Sequence, residues 1–77
     1  MNKTIGLLED VVNEIVIARD KHPNYHSAHE GYAVILEELD ELWDEIKQRY
    51  QTKERMRSEA LQVAATAIRF IQDVCDE

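Results

Sequence analysis

Five glutamates hold the reactive potential of this sequence: Glu37, Glu38 and Glu41 close together, Glu45 one turn further on, and Glu59 beyond a basic stretch. At about 100° per residue, Glu38, Glu41 and Glu45 form a row along the edge of an apolar stripe made by Ile35, Leu39, Leu42 and Ile46. Carboxylates beside an apolar seam become partly enclosed by neighbouring helices, and enclosed carboxylates without matching cations are costly. A divalent cation removes that cost, and an all-oxygen donor set suits Mg²⁺ or Mn²⁺ better than Zn²⁺. The competing reading is a solvated acidic face, which many surface helices have.

The elements that must position these residues are helical. Two glycines, one proline and frequent Leu, Ala, Glu and Ile leave little room for strands. From Thr4 to about Lys21, Ile5, Leu8, Val12 and Ile15 repeat at helical spacing, and Leu7, Val11 and Val16 widen the apolar arc. An arc that wide predicts contact from two sides, one of them a partner chain. Pro23 ends this first helix because it lacks an N–H and disfavours the α conformation at His22. Ser27-Ala28-His29-Glu30 reads as a capping box opening a second helix over Ala28–Tyr50, with Gly31 tolerated in its first turn. Thr52 caps a third helix, with Glu54 in its first turn and Met56, Ala60, Val63, Ala67, Ile71 and Val74 on its apolar face. The short connection predicts an antiparallel pair, which puts Glu59 about level with residues 43 to 45, and a modest offset brings it beside Glu41.

Seventy-seven residues make a single all-α domain, 1–77, that is too small to bury a large core. The expectation is a three-helix protomer that completes a helical bundle by self-association. Nine basic against sixteen acidic residues give a net charge of −7, which argues against nucleic acid or an anionic membrane as partner. The longest uncharged run, Ala60–Ile68, is far short of a membrane span of ~20 residues, and the lone Cys75 leaves no internal disulfide. A cytoplasmic protein is the expectation.

The pattern Glu37-Glu38-x-x-Glu41, followed after seventeen residues by Glu59-x-x-Gln62, resembles the E-E-x-x-E … E-x-x-D signature of the MazG-like all-α nucleoside triphosphate pyrophosphohydrolases. The resemblance covers roughly Gly31 to Asp73, and less securely the first helix. It implies hydrolysis of a (d)NTP to (d)NMP and pyrophosphate, dependent on Mg²⁺ or Mn²⁺. Carried over by position, Glu38, Glu41, Glu59 and Gln62 are the implied metal ligands, and Glu37 orients a ligand or the attacking water. It implies a homodimer or homotetramer with sites near subunit contacts. Gln62 departs from the pattern, since an amide replaces a carboxylate and removes one negative charge. Two alternatives follow: a catalytically weak relative that binds nucleotide or metal, and a plain helical oligomerisation module.

Other candidates are weaker. Among the basic residues around the second turn, Lys53 and Arg57 are candidates to meet triphosphate oxygens, although pairing with nearby acids is the simpler role for each. His22, His26 and His29 lack cysteine partners for a zinc site, and a loop histidine or Tyr25 could instead touch a base. Trp43 is expected in core or interface.

Overall fold

The computed structural model describes residues 2–76. Helix α1 spans Lys3–Lys21, α2 Ala28–Ile46 and α3 Lys53–Phe70, and α3 continues into a π-helical turn over Ile71–Cys75. Among the described residues there is no strand, and no helix is long and apolar enough to cross a membrane.

Local chemistry accounts for the boundaries. Asn2 Oδ1 accepts from the Thr4 N–H at 2.7 Å and opens α1, which stops at His22 before Pro23. Ser27 Oγ accepts from the Glu30 N–H at 3.1 Å, as the capping box requires. The reciprocal half of the box is absent, because the Glu30 carboxylate faces His26 Nδ1 at 3.6 Å instead. Helix α2 ends at Ile46, four residues short of the expected Tyr50. There Gln48 Nε2 donates to the Asp44 carbonyl and Gln51 Nε2 to the Ile46 carbonyl, so side-chain amides satisfy acceptors the helix leaves open. Thr52 stands at the start of α3 in extended conformation, but its side chain makes no capping bond.

Helix α3 packs against both other helices, most extensively against α2, while α1 and α2 share no comparable contact. The molecule is accordingly flattened, 40 × 32 × 19 Å, its shortest extent about half its longest. Among the described residues Val11, Tyr25 and Ala65 are the buried apolar ones, and no large side chain is fully enclosed. The expected apolar stripe of α2 divides as a result. Ile35 and Leu42 are half-buried, whereas Leu39, Ile46 and Trp43 are exposed. Glu38 and Glu45 are half-buried, in keeping with a carboxylate row partly enclosed beside the stripe, whereas Glu41 in the same row is exposed.

Gly31 explains how closely the ends of α2 and α3 approach. A Cβ built there would lie 2.5 Å from Phe70 Cδ2 and 3.2 Å from Tyr25 Cδ2. The glycine expected to be merely tolerated is needed for this contact.

Candidate carboxylate site

Glu38 and Glu41 on α2 and Glu59 on α3 bring one carboxylate oxygen each within 4.8 Å of one another. Glu38 and Glu41 are three residues apart and therefore project from adjacent turns, while the α2–α3 contact supplies the third group. Glu38 and Glu59 are half-buried and Glu41 is exposed, so the cluster opens to solvent on one side.

Enclosure and crowding shift the protonation of Glu38 and Glu59. Burial first, then hydrogen bonding and charge from Glu41 with smaller contributions from Glu59 and Glu37, pushes the Glu38 carboxyl up to about 7. Burial, with Glu41 and Glu45 nearby, also raises Glu59. Among the described residues no Lys, Arg or His forms an ion pair with any of the three. The arrangement is one that a hard divalent cation stabilises, because such an ion takes several oxygen donors and offsets their repulsion.

The other expected site residues sit elsewhere. Glu37 is exposed and, with Glu38, lines a neighbouring cavity of about 270 Å³. Gln62, one turn after Glu59 on α3, has its Nε2 donating to Glu14 on α1. Arg57 pairs with Asp10 of α1 at 2.6 Å. Lys53 is exposed in the first turn of α3.

Two arginines were not singled out from the sequence. Arg69 is only 2% exposed, with its guanidinium 4.6 Å from the Tyr25 ring centroid and its Nη2 donating to the Pro23 carbonyl. Arg19 joins α1 to the π turn, reaching Asp73 at 2.8 Å, Gln72 and Asn24. That bond and the Tyr25 backbone N–H hold the Asp73 carboxyl below its ordinary range. Arg69 had a visible signal, a cation inside the apolar sequence Ala67-Ile68-Arg69-Phe70-Ile71. Arg19 had none, since Asp73 and Gln72, the partners that tie it to the far end of the chain, lie more than fifty residues away.

No known protein family, curated protein or solved structure matches this chain.

Proposed function

We propose that the chain is a Mg²⁺- or Mn²⁺-dependent nucleoside triphosphate pyrophosphohydrolase of the MazG-like kind, cleaving (d)NTP to (d)NMP and pyrophosphate. One observation carries this reading: Glu38, Glu41 and Glu59 converge from two helices without a protein cation among them. Their donor chemistry fits a hard cation, and an antiparallel α2–α3 pair accounts for the convergence. When bound, the ion supplies Lewis-acid polarisation of phosphoryl oxygens and lowers the pKa of a coordinated water. The three glutamates hold it, and Glu37 orients the water or a ligand. Lys53 and Arg57 meet phosphate oxygens, Arg57 exchanging its exposed Asp10 partner for a phosphate. The working form is a cytoplasmic homodimer or homotetramer, in which the exposed apolar faces of α1 and α2 complete a bundle.

The position of Gln62 favours a second reading. Its amide is engaged with Glu14, so the place of the fourth ligand is held by a neutral group turned toward α1. This supports a relative that binds nucleotide and metal with weak turnover. The deciding assay is release of pyrophosphate and monophosphate from a panel of NTPs and dNTPs with Mg²⁺ or Mn²⁺, beside Glu38→Gln. Release by the wild type alone supports the hydrolase. Silence together with a metal-induced rise in melting temperature supports the binding relative, and silence with no rise overturns both.

A further inference from the structure

The cavity of about 270 Å³ that shares Glu38 with the carboxylate cluster has walls of opposite character. Glu30, Glu37 and Glu38 line it from α2, while Tyr25 and Arg69 line it from the α1–α2 connection and the end of α3. Arg69 is a buried cation that forms no ion pair among the described residues, and Asp73, which feels its charge, is already held by Arg19. Its one hydrogen bond there is the 3.2 Å contact from Nη2 to the Pro23 carbonyl, and neither its Nε nor the Tyr25 hydroxyl has a partner. Burial raises the Tyr25 phenol, which stays a neutral donor at ordinary pH. Buried donors left unpaired cost folding stability, and each one that a fold retains calls for a physical explanation, of which a functional role is one.

The volume and the polarity together select a ligand class. Pockets that enclose a whole drug-sized molecule run from ~300 to ~1,000 Å³, so this one suits a single ring system. Guanidinium and phenol donors match a ring carbonyl, and carboxylates match ring N–H or amino groups. We propose that this cavity holds the base of the nucleotide, and that it prefers guanine, uracil or thymine to adenine. The ring carbonyl accepts from Arg69 and Tyr25, and the adjacent N–H donates to a carboxylate of α2. Adenine presents an amino group in place of that carbonyl, which sets donor against donor. The assignment rests on the nucleotide reading above, because Glu38 borders both the cavity and the proposed metal site.

Free nucleosides without metal test the cavity separately from the hydrolysis. In NMR titrations of the full chain, guanosine, uridine and thymidine should shift the Gly31 amide and the Arg69 Nε–H, and bind on the order of tenfold more tightly than adenosine. Tyr25→Phe keeps the ring against Gly31 and removes an unpartnered hydroxyl. It should fold at least as well as the wild type and lose several-fold of the preference, and Arg69→Met should lose the rest. Equal binding of adenosine, shifts confined to another face, or an unchanged preference in Tyr25→Phe would each overturn the assignment. Pyrophosphate release without base preference removes the base site and leaves the hydrolase. Selective nucleoside binding without release does the reverse.

Discussion

At Glu38, burial and neighbouring charge act in the same direction. The carboxyl is raised from 4.5 in an open chain to about 7 in the fold, so between those values the folded state binds more protons than the unfolded one. Stability from this group is therefore greatest at low pH and falls as pH rises from about 4.5 to about 7. In chelator, the melting temperature should decline across that window, and Glu38→Gln should flatten the decline. Mg²⁺ should restore stability most at pH 8 and least at pH 5, where protons compete for the same oxygens. A wild-type profile that rises across the window would contradict the crowding of the three carboxylates. Asp73 behaves oppositely. Its depressed pKa contributes stability that is lost only as pH falls below its open-chain value of 3.8, so the two windows are separate. Arg19→Ala leaves the half-buried Asp73 without its guanidinium and should cost about 2 kcal/mol by chemical denaturation.

Glycine supplies the sharpest contrast between helices. Gly6 in α1 has no atom within 4 Å of a built Cβ, whereas Gly31 in α2 meets Phe70 and Tyr25. Alanine is the better helix former by about 1 kcal/mol, so Gly6→Ala should stabilise the protein by up to that amount. At Gly31 the steric term wins, and Gly31→Ala should destabilise by about 1–3 kcal/mol as Phe70 is pushed away from α2. Paired urea titrations of the two variants give the sign directly.

What could be read in advance follows the same division between local and distant causes. Asn24 to His26 lie between helices as expected, because Pro23 and Ser27 act on their immediate neighbours. The far end of α2 did not follow from its pattern, since Tyr50 prolongs the apolar spacing while Gln48 and Gln51 terminate the backbone ladder. The row of Glu38 and Glu41 was legible from spacing, whereas the short connection alone set Glu59 level with residues 43 to 45, and the early end of α2 at Ile46 lengthens that connection and moves the level toward Glu41. The engagement of Gln62 with Glu14 depends on where α1 lies, which no single-helix period encodes.

The whole molecule is a thin layer with apolar residues left outward. On α2, Tyr32, Leu36, Leu39, Trp43 and Ile46 recur at alternating steps of four and three, and each is at least 37% exposed. On α1, Ile5, Leu8, Val12 and Val16 are all more than half exposed. So much apolar surface on so small a chain supports the proposed self-association, since the protomer encloses little core of its own. Trp43, 57% exposed, should report it. Its emission should shift to the red on dilution as the assembly dissociates, and Leu39→Glu should give the red-shifted spectrum at all concentrations. Dilution-independent emission alongside a monomeric sedimentation coefficient would exclude the homo-oligomer.

The central place of α3 also dictates an order of assembly. Helix α2 meets α3 across a short connection, whereas α1 reaches α3 and its π-helical end through bonds between residues 47 to 54 apart in sequence. Closing the shorter loop loses less chain entropy, so α2 and α3 join first and α1 docks last. The carboxylate cluster therefore belongs to the early unit, and the Arg19–Asp73 clamp closes only at the end. In stopped-flow measurements Arg19→Ala should speed unfolding and leave the folding rate nearly unchanged, whereas Gly31→Ala should slow folding.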